Sequence, residues 1–532
     1  MTRKNFYQTT KRHQLRLKNN IKDKLKQIQR ELLIPHGLEF RKVEIGPYIE
    51  QEDIENFKCD LVYINSNIEE SVSIKKVIYI KDKNNISDDT YKSLRNELKL
   101  KLPSLYKLKN EIEKYDEMFD IMENSKGVYI DIKKKLKELI LRIKHKFINK
   151  DDNILHIKFS ADGAQIIKHK LILNLTFTVL NEGKIAETAS GNYTCGLFDI
   201  TKEDYDVMCT CLNEIKFQIN DLNEIEVDNI KYKIEKYIGG DLKMLALIYG
   251  INQASSNCPC IWCIWDKRSF DNDDIEKVDE AVQKDWSIKD VEKGARTIEE
   301  ALHSQNKFGY INKPILSIPF DRVIVDTLHL FLRISGVLYD LFIVSLRNLD
   351  GKQKNEIDLS RQPHLNQFFL DLKENYNIKA PFSVVDKSIK IRELQGPDKK
   401  KLFQDCNLKK YAEGNEKFDK TEVLWKDFWK LFNQIKKSEI TPNDIKKNTK
   451  KWLSDFTAIY DATHITPYMH CFANHLHEFV NLYGDVNRFN LEGLEKLNHL
   501  THSHVFRATN RHTDYLKQIM RKRNRIEVSC RD

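Results

Sequence analysis

No long stretch of this sequence is both strongly apolar throughout and free of charge. The most apolar long segment, 323-VIVDTLHLFLRISGVLYDLFIVSL-346, is interrupted by Asp326, Arg333 and Asp340. Those charges argue against a membrane span and for a buried helix. The start of the chain, MTRKNFYQTTKRHQLRLKNN, is polar and basic and lacks the apolar centre of a signal peptide. An intracellular protein with no membrane partner is expected, nuclear if its cell has a nucleus. A disulfide framework is also lacking: the ten cysteines are scattered, with one cluster. They read as reduced thiols, some of them metal ligands. No internal repeat or low-complexity block stands out. Neither sign of charge dominates, with 88 Lys and Arg against 79 Asp and Glu, a net +9. Such a balance permits a polyanionic partner without requiring one.

What is there is enough for several cores. A length of 532 residues suggests about three domains, and 41% hydrophobic with 31% charged residues is not the composition of a disordered chain. Residues 3–30 carry ten Lys or Arg and one acid at roughly helical spacing. They read either as a solvated basic helix or as a nucleic-acid arm. Residues 31–150 read as mixed, with short strands such as 76-KVIYI-80 and helices over 87–99, capped at Ser87 or Asp88, and 130–147.

From 153 the pattern turns to strands. 153-NILHIKFSADGA-164 alternates and then meets a D-G turn, and 170-KLILNLTFTVLNEG-183 and 192-NYTCGLFDI-200 follow as strands. A helix is expected from a Thr201 cap through residue 215, then a strand over 231-KYKIEKYIGG-240 and a helix over 241-DLKMLALIYGI-251. This βββαβα order is what a ribonuclease-H-like core needs. Such a core sets one Asp at the end of its first strand and another at the end of its fourth. Asp162 and Asp241 take those places here. With a third carboxylate from a later helix they would hold two hard divalent ions for phosphodiester chemistry. Each residue also has a plainer reading. Asp162-Gly163 is a common turn, and Asp241 suits a helix N-cap.

The cysteine cluster is 258-CPCIWCIWD-266. Cys260 and Cys263 form a C-x-x-C, half of a zinc site, and nothing adjacent completes it. The richest partner is His470-x4-His475, about 200 residues downstream. Its spacing is within the H-x3–5-H range, and thiolate with imidazole suits zinc. His464, His477 and Cys258 compete as ligands, and buried cysteines often act only as small hydrophobes. An i,i+5 pair does not share one helix face, so a helix there must end or distort.

Taken together, these elements resemble the family of the V(D)J recombinase catalytic subunit (the larger RAG protein) and its Transib-type transposase relatives. The resemblance rests on the D-G at Asp162-Gly163, the strand 176-TFTVLNEG-183, Gly239-Gly240 before Asp241, the C-x2-C and H-x4-H pairs, and 492-EGLEKLN-498. Asp241 precedes Cys260 by nineteen residues and Glu495 follows His475 by twenty, offsets that match the family. It covers roughly residues 155–265 and 320–510. The resemblance implies a ribonuclease-H-like, five-stranded mixed-sheet core of α+β class, interrupted by a large helical insertion whose two ends zinc ties together. It implies Asp162, Asp241 and Glu495 as the catalytic triad holding two Mg²⁺ or Mn²⁺ ions, with Glu492 the nearest rival for the third place. It implies double-stranded DNA as partner, a homodimer, and hydrolysis followed by strand transfer. A domesticated, inactive DNA-binding descendant and a zinc-stabilised scaffold are the other readings. The chain departs from the family at 326-DTLHLFLRI-334, which keeps Asp326, Leu328 and His329 but loses the rest of the family's element. That pair reads either as support for the triad or as a buried, mutually satisfied pair.

The expected division is a basic arm and mixed, mostly helical region over 1–150, the first part of the core over 151–258, the helical insertion over 259–480, and over 481–532 the Glu helix with a basic C-terminal helix. That last helix carries Arg521, Lys522, Arg523 and Arg525. It suits backbone phosphate or a solvated face equally.

Overall fold

The computed structural model describes residues 38–45, 57–63, 73–97, 101–147, 153–167, 170–270, 275–304, 306–351, 359–378, 382–385, 388–405, 407–509 and 514–531. The basic segment 3–30 lies outside the described residues. Two compact units form, one from residues 1–121 with 503–532 and the other from 122–502.

The smaller unit contains the antiparallel pair β1 (Leu38–Ile45) and β2 (Phe57–Tyr63). It also holds the helices Ile74–Lys83, Asp88–Glu97, Leu105–Met118 and Tyr515–Ser529. Ser87 caps the second of these by accepting from the Thr90 amide at 3.0 Å. The run 76-KVIYI-80, expected as a strand, lies inside the first helix. Its β-branched residues favour a strand only weakly. Burial of Val77, Ile78 and Ile80 on one helix face, against neighbouring helices, overrides that preference. The C-terminal helix forms, but its charges do not present one basic face. Lys522 and Arg523 are buried, and Arg525 binds Asp82 and Asp116 at 2.6 Å each. Those three cations are engaged within the unit, while Arg521 is exposed.

The larger unit is built on a mixed sheet. Its strands are β3 (Ile121–Glu123), β4 (Gly127–Ile130), β5 (Ile154–Ile167), β6 (Lys170–Val179), β7 (Asn192–Ile200), β8 (Glu224–Val227), β9 (Ile230–Gly239) and β10 (Val323–Ile324). They run in the order β10-β9-β5-β6-β7-β4-β3, with β8 paired to β9. β9 is parallel to β5 and to β10, and the other registered pairs are antiparallel. The sheet thus has eight strands where five were expected. The additions β3, β4 and β8 span three or four residues each, too short for an alternating pattern to mark them.

Two local readings change. The first long strand does not turn at Asp162-Gly163 but continues to Ile167, with Asp162 opposite Asn174 on β6. Its pairing to β9 does stop nearby, at Ser160 opposite Gly239. Gly163 serves close approach, since a Cβ there would lie 2.2 Å from Glu203 Oε1. After β7 the cap is Asp204, not Thr201: it accepts from the Val207 amide at 2.9 Å and starts the helix Tyr205–Leu212. A separate helix, Ile215–Asp221, follows.

The helical part of this unit surrounds Thr327–Leu349, the apolar segment expected to be a buried helix. It is long and apolar enough to cross a membrane, yet thirteen of its residues are buried within the protein. Asp326 caps it, and Arg333 and Asp340 are exposed, which reconciles its charges with its position. Around it lie Pro363–Glu374, Gly396–Asp405, Glu416–Lys436, Pro442–Ile459 and Pro467–Asn474. Three of these begin with proline, which fits the first turn because no amide partner is needed there. Their shared core is aromatic: Phe331 packs on Phe428 and Phe432, and Phe403 stacks on Trp425 with centroids 4.2 Å apart.

Candidate active site and metal centre

Alternation along β5 sets Lys158, Ser160 and Asp162 on one face of the sheet. Against that face lies the helix Glu492–Ala508. Asn498 Nδ2 donates to Asp162 Oδ2 at 2.6 Å, and Asn174, opposite Asp162 on β6, donates to Asn498 Oδ1 and, at 3.3 Å, to Thr501 Oγ1. Asp241 follows β9 and caps the helix Leu242–Tyr249, accepting from the Met244 amide through Oδ1 at 2.7 Å. Its capping role and its place beside Asp162 therefore coexist. Burial, with the Asp241 carboxylate beside it, pushes Asp162 up to about 7. Glu203 and Glu495 push the same way, and His329 opposes them.

Glu495 lies one turn before Asn498. Its side chain is 42% exposed, with partial desolvation holding the carboxyl above the usual range, and its Oε1 is 3.7 Å from His329 Nε2. Glu492 points elsewhere, toward Lys436 at 3.8 Å. His329 in turn gives its Nδ1 to Asp326 Oδ2 at 2.5 Å. Burial opposes the imidazolium, but Asp326, Asp241 and Glu495 raise His329 above its ordinary value. Asp326 is 3% exposed and also accepts from the amides of His329 and Leu491. The two readings of the Asp326–His329 pair are thus compatible: Asp326 is buried and bonded to the partly exposed His329, which reaches Glu495.

The structure therefore gathers Asp162, Asp241 and Glu495 into one electrostatic neighbourhood. They do not close to the spacing of ligands around a single ion. Among the described residues, the group that does is Cys260, Cys263, His470 and His475, whose ligand atoms all lie within 4.8 Å of one another. All four are buried, with Cys260 Sγ 3.5 Å from His475 Nε2 and Cys263 Sγ 3.2 Å from His470 Nε2. This buried Cys₂His₂ group could bind zinc. Its donor set of two thiols and two imidazoles suits that ion.

The local sequence builds that group directly. Pro467–Asn474 ends after His470, and a new helix, Leu476–Tyr483, starts after His475. The break lets two histidines five apart face one point. Trp265 stacks on His470 with centroids 4.2 Å apart and rings 6° from parallel. Arg296 Nε donates to the Cys260 carbonyl at 3.0 Å, and Trp262 Nε1 donates to the Val323 carbonyl at 2.6 Å. Glu478 stands 3.5 Å from His475 Nδ1 and accepts from the Ile288 amide at 2.9 Å. The competitors fall away: His464 is exposed, and Cys258 and His477 lie outside the group.

Two site residues escaped the sequence reading. Asn498 was visible inside 492-EGLEKLN-498, three residues after Glu495 and so on the same helix side. Glu203 gave no signal. Its carboxylate reaches Gly163 across the sheet edge and accepts from Lys243 at 2.5 Å.

No protein-family model and no curated protein matches the chain. Among solved structures, the Drosophila P element transposase strand transfer complex is similar at a TM-score of 0.36 and 12% sequence identity, over 86% of this chain and 91% of that one.

Proposed function

We propose that this chain is a DNA-processing enzyme of the DDE type, with Asp162, Asp241 and Glu495 as its metal-binding carboxylates. The observation that carries the reading is the neighbourhood of Asp162. Its carboxyl is driven up to about 7 by burial and by Asp241, with Glu495 adding to the same field. Acids crowded in this way are costly without a cation and apt with one. The strand order supports the same reading: β7-β6-β5-β9-β10 with β5, β9 and β10 parallel is the order of a ribonuclease-H-like core.

Divalent ions such as Mg²⁺ or Mn²⁺, held by these carboxylates, would activate a water or the 3′-hydroxyl of a cut strand and steady the leaving oxygen. The protein's part is to hold the carboxylates. Asn498 fixes one oxygen of Asp162, the helix N-terminus fixes one oxygen of Asp241, and His329 faces Glu495. Zinc at Cys260, Cys263, His470 and His475 would tie the helical insertion to the core in a closed, structural site. DNA is the proposed substrate and a homodimer the proposed assembly, since joining two DNA ends requires two sites.

The test is nicking of duplex DNA by the full chain in Mn²⁺, with Asp162→Ala and Glu495→Ala alongside. Loss of nicking in both supports the reading, and full activity in either ends it. The exposure of the Glu495 side chain, 42%, favours a second reading: a transposase-derived DNA-binding protein without chemistry. Salt-sensitive DNA binding with no cleavage of intact or pre-nicked substrates would establish that one instead.

A further inference from the structure

Lys158 is a fully buried lysine on the central strand, with 0% of its surface exposed. A strand interior is an expensive place for an ammonium group, so its partners matter. Its Nζ donates to the carbonyls of Phe489 and Asn490, at 3.2 and 2.9 Å. The second of these peptide groups is also held from its other side by the opposite charge: the Leu491 amide donates to Asp326 Oδ1 at 3.0 Å. Asp326 and Glu187 support the ammonium, while burial pushes it down to about 8. A Cβ at Gly239 would lie 3.4 Å from Lys158 Cδ and 3.6 Å from Leu491 Cδ2, so the lysine stem and Leu491 both lie over that glycine.

Residues 489–491 are the lead into the helix Glu492–Ala508. The Glu495 amide donates to the Leu491 carbonyl at 2.9 Å, so the position of residue 491 sets the first turn. Lys158 shares the face of β5 with Asp162. We infer that Lys158 and Asp326 form a positioning clamp: by gripping two consecutive peptide groups, the second from both its carbonyl and its amide, they set the register of Glu495 against Asp162. Neither touches the reacting atoms. The inference rests on the reading of Glu495 as a catalytic carboxylate. It assigns a role to a buried charge that a leucine would otherwise replace with less desolvation.

The experiment uses the full chain with Lys158→Met, which keeps length and burial and removes the charge. Nicking in Mn²⁺ should fall about 100-fold in kcat, as expected of a carboxylate misplaced by about an ångström. The Mn²⁺ concentration for half-maximal rate should rise about 10-fold, with zinc content unchanged. A Lys158→Met, Glu495→Ala double variant should be no slower than Glu495→Ala alone. Unchanged kcat and metal dependence in Lys158→Met would overturn the clamp.

Hydrogen exchange gives an answer that does not depend on activity. In the unaltered chain the amides of Leu491 and Glu495 should exchange no faster than the buried strand β5. Exchange of Leu491 at the rate of an open loop would overturn the inference. Lys158→Met should speed exchange over 491–495 at least about 10-fold and leave Met244 unchanged. If Lys158→Met does not fold, Asp326→Asn is read in the same way. If the unaltered chain does not nick DNA but shows this pattern, the catalytic reading fails and the clamp stands.

Discussion

Asn498 Nδ2 donates to Asp162 Oδ2 at 2.6 Å, joining a helix to a strand 336 residues away in sequence. The bond leaves the other Asp162 oxygen to whatever ion or proton the site holds. Asn498→Ala should lower Mn²⁺-dependent nicking about 10- to 100-fold, the usual effect of losing a partner that orients a metal ligand. Circular dichroism should not change. Asn498→Asp should be worse, because it sets a like charge against Asp162. Wild-type rates in both would remove Asn498 from the site.

Asp162 makes the metal-free protein less stable at neutral pH. Its folded pKa, about 7, is above the ordinary value of 3.8. The stability tied to its proton is fully present below 3.8 and is lost as the pH rises through 7. Asp162→Asn should therefore be more stable than the parent at pH 8, by on the order of 1–3 kcal/mol, and melt at a higher temperature. The gap should shrink toward pH 4, and added Mn²⁺ should stabilise only the parent. Equal melting at pH 8 would show that the carboxylates are not in conflict.

The Cys₂His₂ group is expected to hold one zinc per chain by elemental analysis. Cys263→Ser should lose the metal and destabilise the larger unit by several kcal/mol, read by melting and by proteolysis near residues 260–266 and 470–484. Cys258→Ser should keep both metal and stability. Loss of zinc in the second variant but not the first would reverse the ligand assignment.

His504 sets an acid limit on the smaller unit. It is 3% exposed, its Nδ1 has no hydrogen-bond partner, and burial with Arg523 and Lys522 nearby pushes it down to about 2. The unfolded chain protonates this ring below 6.5 while the folded chain does not. Stability should then fall by about 1.4 kcal/mol for each pH unit below that value. In denaturant titrations at pH 5 and 7, His504→Leu should flatten this slope. An unchanged slope would place the acid sensitivity elsewhere.

The Cys₂His₂ clasp was legible because metal ligands have a tight spacing grammar. C-x2-C and H-x4-H name each other across any distance, and the i,i+5 argument already required the helix break that occurs at His475. The strands β5, β6, β7 and β9 were legible from strand-forming residues bounded by turn signals, with apolar alternation in β5 and continuous burial in β6 and β7. The failures are local preferences that packing overrode. The run 76–80 has strand-forming residues but an apolar helix face to bury, and Asp162-Gly163 looks like a turn although Gly163 makes room for Glu203. The cations of the last helix looked available because sequence does not show Asp82 and Asp116 waiting for Arg525.

By itself the sequence determined the four long strands of the central sheet, the two thiols and two imidazoles that gather, and three acids at family-like offsets. Each is written in short-range pattern or in spacing. Only the tertiary structure gave the two glutamates different neighbours. Glu495 and Glu492 are three residues apart on one helix, and what separates them is His329 on one side and Lys436 on the other. Only the tertiary structure, likewise, brought Lys158 to the carbonyls of Phe489 and Asn490. A buried charge must find partners wherever the chain returns, and no local pattern records where that is.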